Sequence, residues 1–226
     1  MMINAITLLW RKPGMSIDAF QRYWRNEHAG VITRLPGFQR YVQSHPLDEN
    51  YQVKEPICDG IAELWANDSQ VFRDIAVSEA YSLVQVDEEK FLDRAANTLV
   101  LTVEHVIREG PVAVDGVKCI QFFNRRKQMH VDLFQTHWRD VHGPLMATLP
   151  LLTRYAQYHV RPGAYKHGRQ PVCDGFDVTW FDSKNNFYQA MGSAINDRVR
   201  LQQEKFLSAD DCPQILTREH VITSGG

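Results

Sequence analysis

Histidines that recur in pairs are the residues best able to carry chemistry in this sequence. The chain has nine histidines, and three pairs occupy matching positions in its two halves: His28 and His142, His45 and His159, His105 and His220. His28 stands one helical turn after Trp24 on an apolar stripe, so its imidazole is predicted to point inward. Burial lowers the pKa of an imidazole and leaves a neutral ring, which can act as a base near neutral pH. The alternative is a core histidine that ties its helix to a strand carboxylate or carbonyl.

Asp59 and Asp174 form the second candidate set, because each lies among the apolar positions of a strand. A carboxylate in such surroundings needs a partner or must take up a proton. The nearest candidate partner is the histidine on the preceding helix, which the carboxylate would orient. The predicted acid/base dyads are His28 with Asp59 and His142 with Asp174. The alternative is that Asp59 lies at the entrance of its strand and only caps a loop.

Polar and aromatic side chains on one strand of each half suit ligand binding. Side chains two positions apart point the same way from a strand, and the sets that share a face are Tyr41, Gln43 and His45, and Tyr155, Gln157 and His159. They can orient a small polar aromatic ligand or line a hydrated seam between two sheets. His105 and His220 have the inward parity of the closing strands and can point into a core or a pocket. Trp24 and Trp138 are core aromatics or stacking platforms for a ligand.

A tandem duplication organises these residues. Trp24 and His28 match Trp138 and His142 at an offset of 114, and Cys58-Asp59-Gly60 matches Cys173-Asp174-Gly175 at an offset of 115. A fixed offset of this kind indicates a repeated structural unit. The sequence therefore predicts two domains, residues 1–110 and 117–226, joined around residues 109–116.

Each copy has the hydrophobic periods of strand, helix, strand, strand, helix and strand. In the first copy the predicted strands are 3–10, 38–45, 57–65 and 99–108, and residues 67–92 form a broken helical region. The first helix begins after Ser16 as its N-cap and ends at Leu35-Pro36-Gly37. This βαββαβ order is the ferredoxin-like one, with helices on one face of an antiparallel sheet. The second copy can cover the other face, which predicts an α+β fold with two units packed sheet to sheet.

Short motifs in a repeated order carry a family resemblance. The first copy reads Phe20-x-x-x-Trp24-x-x-x-His28, Leu35-Pro36-Gly37-x-x-Arg40-Tyr41 and Cys58-Asp59-Gly60, and the second reads Phe134-x-x-x-Trp138-x-x-x-His142-Gly143-Pro144, Leu149-Pro150 and Arg154-Tyr155. This pattern resembles the EthD family of the dimeric α/β-barrel superfamily. The resemblance implies that the two halves form one pseudo-dimeric α/β barrel, in a chain that is a monomer or a homodimer. Proteins of similar fold include cofactor-free monooxygenases, polyketide cyclases, dehydratases, a lactone isomerase and haem enzymes.

Composition argues against several classes of partner. The chain has 226 residues, with 25 Lys and Arg against 27 Asp and Glu and a formal net charge of −2. Without a clustered basic face, nucleic acids and anionic membranes are not expected partners. The apolar N-terminal stretch ends at Arg11 and is too short for a signal segment or a membrane span, so it predicts a strand. Four cysteines without a Cys-x-x-Cys pair indicate a reducing, cytoplasmic location.

Metal and cofactor motifs are missing from the sequence, so no metal and no cofactor are predicted. There is no His-x-His, no His-Glu-x-x-His and no Gly-x-Gly-x-x-Gly, although haem on one axial histidine leaves no spacing to recognise. The predicted function is an enzyme acting on a small hydrophobic or aromatic carbonyl compound by side-chain acid/base chemistry, of dehydratase, cyclase or lyase type. The alternatives are a cofactor-independent oxidoreductase or monooxygenase in the catabolism of organic compounds, and a non-catalytic ligand-binding or accessory barrel.

Overall fold

Eight strands and their connecting helices make up the computed structural model, which describes residues 2–52, 55–208 and 212–224. The strands are β1 (Ile3–Leu9), β2 (Arg40–Pro46), β3 (Gly60–Ala66), β4 (Thr98–Arg108), β5 (Val117–Phe123), β6 (Leu152–Val160), β7 (Gly175–Phe181) and β8 (Gln214–Ser224). The helices are α1 (Ile17–Tyr23), α2 (Ala29–Ile32), α3 (Ser69–Ala76), α4 (Glu79–Glu88), α5 (Val131–His137), α6 (Gly143–Met146), α7 (Lys184–Met191) and α8 (Ala194–Gln203). Within these ranges, no helix combines the length and the apolar character that crossing a membrane requires.

The strand order confirms the predicted fold class. In the first half β3 pairs with β1 on one side and β2 on the other, and in the second half β7 pairs in the same way with β5 and β6, all antiparallel. The hydrogen-bonded strand order is β1-β3-β2-β8-β5-β7-β6-β4. The chain is therefore an α+β protein built from two ferredoxin-like βαββαβ units.

Two compact units divide the chain at places other than the sequence repeat. The first unit comprises Met1–Leu101 with Glu219–Gly226, and the second comprises Thr102–Arg218. Strands β4 and β8 therefore each contribute residues to both units. The predicted domains 1–110 and 117–226 follow sequence similarity, whereas these units follow contacts.

A π-helical turn interrupts the first helix of each half. The Ser16 side chain caps α1 by accepting a hydrogen bond from the Ala19 backbone N–H at 3.2 Å. The turn Trp24–His28 then joins α1 to α2, and Trp138–His142 joins α5 to α6. A π turn adds one residue and changes the direction of the side chains that follow it, and such turns are frequent at functional sites. In both halves the buried tryptophan begins the turn and the buried histidine ends it.

The glycine at the start of β3 explains one of the repeated motifs. A Cβ added at Gly60 would lie 2.5 Å from Cζ3 of Trp24, and one added at Gly175 would lie 2.4 Å from Cζ3 of Trp138. No side chain fits at either position unless the indole or the backbone moves. The glycine of the Cys-Asp-Gly motif thus allows the tryptophan ring to pack directly against the sheet.

Candidate functional site

A cavity of about 260 Å³ lies between the helices and the sheet of the first unit. Its lining is mainly apolar, with side chains from β1, β2, β3, α3 and α4. The polar and aromatic groups that reach it include Trp24, His28, Tyr41, Tyr81, Glu88 and Arg94. This volume is just below the range of about 300 to 1,000 Å³ that is common for ligand pockets, so the cavity suits a molecule smaller than most such ligands.

His28 meets the cavity as an oriented imidazole. Its Nδ1 lies 2.8 Å from Oδ2 of Asp87, near the end of α4. With the Nδ1–H donated to the carboxylate, the neutral ring carries its lone pair on Nε2. Burial lowers the pKa of His28, and Asp87 offsets part of that decrease. The cavity wall therefore has a neutral base whose tautomer a carboxylate fixes.

Asp87 is held by several donors at once. Its Oδ1 accepts hydrogen bonds from the Tyr23 hydroxyl at 2.7 Å and from Nζ of Lys90 at 2.9 Å. Burial alone would raise the pKa of this carboxyl, but the hydrogen bonds from Lys90, His28 and Tyr23 outweigh burial and lower it. Asp87 is therefore ionised at neutral pH and can stabilise a protonated His28.

The predicted pairing of His28 with Asp59 is wrong. Asp59 lies at the entrance of β3, where its carboxylate accepts hydrogen bonds from the Arg11 backbone N–H at 2.9 Å, the Arg11 guanidinium and the Tyr51 hydroxyl at 3.1 Å. The structure thus supports the alternative in which this carboxylate ties a loop. A catalytic role for Asp59 remains a prediction that the geometry does not favour.

The second half repeats both arrangements with one change of charge. The Asp174 carboxylate accepts hydrogen bonds from the Arg125 backbone N–H at 2.8 Å, from the Arg125 guanidinium, and from the Tyr165 hydroxyl at 2.7 Å. The predicted pair of His142 with Asp174 is therefore also wrong. His142 instead places Nδ1 2.6 Å from Oε1 of Gln202. Gln202 stands at the position of Asp87, and a neutral amide there replaces the carboxylate.

His142 is a weaker candidate for a base than His28. Burial lowers the pKa of His142 to about 4, despite its hydrogen bond with Gln202. Among the described residues, Nε2 of His142 has no hydrogen-bond partner. Without a carboxylate, a protonated ring at this place has no counter-ion of the kind that Asp87 gives to His28.

The predicted ligand-binding strand residues form an internal network. In the first half, Nε2 of Gln43 donates to the Trp24 carbonyl at 2.9 Å and to the Tyr41 hydroxyl at 2.8 Å, and Oε1 of Gln43 lies 2.9 Å from Nε2 of His45. The His45 ring stacks on Trp24 at a centroid distance of 4.4 Å. Burial lowers the pKa of His45 to about 2. This network holds the π turn, and within it Trp24 and Tyr41 line the cavity.

The second half keeps the same network. Gln157 donates to the Trp138 carbonyl at 2.9 Å and to the Tyr155 hydroxyl at 2.7 Å, and its Oε1 lies 3.0 Å from Nε2 of His159. The His159 ring stacks on Trp138 at 4.3 Å. In both halves, the network therefore links the π turn to the neighbouring strand through the glutamine side chain.

The third histidine pair, His105 and His220, contacts the histidine rings that stack on the tryptophans. The His220 ring meets the His45 ring edge-on at a centroid distance of 4.7 Å, and its Nε2 lies 3.1 Å from the Arg25 guanidinium. In the other unit, the His105 ring lies 4.4 Å from that of His159. The structure does not bring His105 or His220 to the cavity of the first unit, so their predicted ligand contacts remain predictions.

At two positions that line the cavity in the first half, the second half has larger side chains. Ala62 and Leu9, which line the cavity, correspond to Asp177 and Phe123. The Phe123 ring packs on Trp138 at a centroid distance of 5.1 Å. The Asp177 carboxyl is buried, and burial raises its pKa to about 7. Larger side chains thus occupy the second-half positions that correspond to cavity-lining residues of the first half.

Within residues 2–52, 55–208 and 212–224, no group of three or more histidine, cysteine or acidic side chains could hold a metal ion. Burial raises the pKa of the Cys58 and Cys119 thiols, so both are protonated at neutral pH and are poor nucleophiles.

The fold and the site together define a class, namely a tandem ferredoxin-like α+β protein whose first unit places a histidine and carboxylate pair at an apolar cavity. The chain belongs to the EthD family, because the model of the EthD domain matches residues 12–95 and again residues 126–210. The resemblance of the repeated motifs to this family is thereby confirmed.

Solved structures of the same fold share little sequence with this chain. A candidate monooxygenase from Lactobacillus acidophilus NCFM is 9% identical over 99% of this chain and 97% of its own, with a TM-score of 0.61. A candidate monooxygenase from Fusobacterium nucleatum subsp. nucleatum is 6% identical over 100% and 95%, with a TM-score of 0.65. An anthrone oxidase-like protein is 9% identical over 99% and 94%, also with a TM-score of 0.65. Among curated proteins there is no match.

Proposed function

We propose that the protein is an enzyme that removes a proton from a carbon next to a carbonyl group, in a small apolar molecule bound in the cavity of the first unit. The observation that carries this proposal is the 2.8 Å contact between Nδ1 of His28 and Asp87 at the cavity wall. Because this contact uses the Nδ1–H of His28, Nε2 is the basic nitrogen of the ring. The mainly apolar lining favours a hydrophobic or aromatic ligand.

The proton transfer balances within the site. Nε2 of His28 takes the proton, and the electron pair of the C–H bond moves to the carbonyl oxygen as an enolate forms. The resulting imidazolium is stabilised by the Asp87 carboxylate, which its own hydrogen bonds keep ionised. An apolar cavity strengthens this charge interaction because few water molecules screen it.

An enolate is the common first intermediate of several reactions. In a dehydration, a hydroxyl group on the neighbouring carbon takes the proton from the His28 imidazolium and leaves as water while the C=C bond forms. In a cyclisation, the enolate carbon attacks a second carbonyl, whose oxygen takes that proton. These are the lyase and cyclase types that the sequence predicts. Oxygenation is the second candidate. There the enolate carbon gives its electron pair to O₂ and forms a C–O bond, and the resulting peroxide takes the proton from His28 to become a hydroperoxide. The structural similarity to the candidate monooxygenase and to the anthrone oxidase-like protein supports this alternative.

Exchange of carbon-bound hydrogen tests the proton transfer without knowledge of the product. The bicyclic ketone 2-tetralone is dissolved in D₂O with the protein, and ¹H NMR follows the loss of its C1 hydrogens. The wild-type protein should exceed the buffer rate, and H28Q should lower its rate by roughly 10² to 10⁴, the usual contribution of a general base. The matched control is H142Q, which should keep the wild-type rate.

Two outcomes contradict the proposal. Equal rates for H28Q and the wild type would remove His28 from the chemistry. No exchange above buffer in the wild type would favour the non-catalytic binding protein.

The cytoplasmic location and the choice between monomer and homodimer remain predictions from the sequence and the family.

A further inference from the structure

The second unit contains an acceptor oxygen held by a tryptophan and a tyrosine. Oδ1 of Asp177 accepts a hydrogen bond from Nε1 of Trp138 at 3.0 Å and from the Tyr155 hydroxyl at 2.5 Å. All three side chains are buried. The two donors therefore converge on one oxygen, which here belongs to the protein itself.

The first unit keeps both donors and lacks this acceptor. Ala62 replaces Asp177 at the same place in the sheet, since Ala62 pairs with Gln43 as Asp177 pairs with Gln157. The methyl group of Ala62 cannot accept a hydrogen bond, and Ala62 lines the cavity. The space that the carboxylate fills in one unit is thus part of the cavity in the other.

The hydroxyl of Tyr41 is left with a hydrogen to donate. Its oxygen accepts hydrogen bonds from Nε1 of Trp24 at 3.2 Å and from Nε2 of Gln43 at 2.8 Å. Among the described residues, none accepts a hydrogen bond from the Tyr41 hydroxyl. In the second unit the equivalent hydrogen goes to Asp177. Tyr41 and Trp24 both line the cavity, so a bound molecule can supply the missing acceptor.

We infer that the Tyr41 hydroxyl and the Trp24 indole N–H, which donates to the Tyr41 oxygen in the free protein, form a binding site for an acceptor oxygen of the ligand. This oxygen would lie in the place that the Asp177 carboxylate occupies in the second unit. The chemical class is a small aromatic or alicyclic ketone, whose carbonyl oxygen becomes the enolate oxygen. This inference deepens the proposed function and uses the same cavity, but it requires only binding. Donors fixed in a buried site stabilise negative charge more strongly as it develops on such an oxygen.

Burial explains why a neutral carbonyl suits this site. The same two kinds of donor hold the Asp177 carboxyl, and burial still raises its pKa to about 7. A permanently ionised ligand oxygen would meet the same cost of desolvation. A neutral ketone enters the cavity without the desolvation cost of a charged group. The two donors stabilise its oxygen when negative charge develops there.

Indole ¹⁵N–¹H NMR signals test the inference with a control inside the same molecule. Acetophenone is titrated into ¹⁵N-labelled protein, and α-methylstyrene serves as a probe of the same shape without an oxygen. Acetophenone should shift the Trp24 indole signal saturably and leave that of Trp138 unmoved, because Asp177 already holds the latter. Binding of α-methylstyrene should be roughly tenfold weaker, as expected for a lost buried hydrogen bond.

Two variants probe the donor and the space separately. Y41F keeps the ring and should weaken acetophenone binding roughly tenfold. A62D copies the second unit, so it should abolish binding and move the Trp24 signal toward that of Trp138 in the free protein. Y155F is the matched control in the other unit and should leave the acetophenone affinity unchanged. Thermal unfolding checks that each variant is folded.

The inference is overturned if acetophenone leaves the Trp24 signal unmoved, if α-methylstyrene binds as tightly, or if the Trp138 signal shifts to the same extent. Binding of acetophenone with the expected variant effects, together with absence of exchange of 2-tetralone, would overturn the proposed function alone. Exchange that needs His28 but is unaffected by Y41F and A62D would overturn this inference alone.

Discussion

Asp87 and His28 are joined by a hydrogen bond of 2.8 Å, whereas the matching pair of Gln202 and His142 is joined at 2.6 Å by an amide. The two halves therefore hold the same ring in the same way with different charge. The difference makes D87Q an informative variant, because the second unit shows that glutamine can take this position without losing the contact.

We expect D87Q to fold and to lower the rate of 2-tetralone exchange by roughly 10 to 100-fold, the effect that loss of an orienting partner has at metal-bound histidines. Because Asp87 raises the pKa of His28 against the effect of burial, the acid limb of the pH–rate profile should move to lower pH. The control is Q202E, which should leave exchange unchanged. A D87Q profile with an unshifted acid limb would show that Asp87 does not act on His28.

The stability of H142Q should depend on pH differently from that of the wild type. Burial lowers the pKa of His142 from 6.5 to about 4. The unfolded chain therefore binds a proton that the folded chain does not, so stability from this group is present above about pH 6.5 and is lost as pH falls toward 4. The full loss is about 3 kcal/mol, at about 1.4 kcal/mol for each pKa unit. H142Q lacks this loss, which urea unfolding at several pH values would measure.

Asp177 should have the opposite pH dependence. Burial raises its pKa from 3.8 to about 7, so the folded chain binds the proton in this window. Its stabilising contribution is present below about pH 4 and is lost as pH rises through 7, by up to about 4 kcal/mol. We expect the stability of D177N relative to the wild type to increase between pH 4 and pH 8. A constant difference over that range in urea titrations would contradict the burial of an ionisable carboxyl here.

The fold was predictable because its signals are local and occur twice. Strand and helix periods, the Ser16 cap and the repeated motifs gave the element order, which the strand pairing confirms. The π turn at Trp24–His28 has no such signal, since it differs from an α-helix by one residue in the hydrogen-bond register. It also changes the direction of the side chains toward its end, including that of His28.

The candidate site was predictable only in part. The sequence indicates that His28 is buried, and the expected βαββαβ order makes Asp59 on the neighbouring strand its nearest candidate partner. The true partner, Asp87, is 59 positions away on α4. A signal was present, because Asp87 follows Val84 and precedes Phe91 at helical spacing and so interrupts an apolar stripe with a carboxylate. The difference between Ala62 and Asp177 becomes meaningful only when the neighbouring donors are known.

Gly60 should not tolerate alanine, because its Cβ would lie 2.5 Å from the Trp24 ring. We expect G60A to lower the free energy of unfolding by about 1 to 3 kcal/mol, as overpacking of a buried contact does. Displacement of Trp24 should also weaken acetophenone binding, since Trp24 lines the cavity. G163A is the control: its Cβ would meet nothing within 4 Å, and urea unfolding should differ from the wild type by less than about 0.5 kcal/mol.

Asp59 should prove to be a structural carboxylate. It binds the Arg11 backbone and guanidinium, and it is 5% exposed. D59N removes the charge and keeps the shape, so we expect a loss of roughly 3 kcal/mol, near the lower end of the range for breaking a buried ion pair. The rate of 2-tetralone exchange per folded molecule should stay at the wild-type value, because His28 is oriented by Asp87. D174N should lose a similar amount of stability. If D59N instead kept its stability and no longer catalysed exchange of 2-tetralone, the catalytic role predicted from the sequence would be restored.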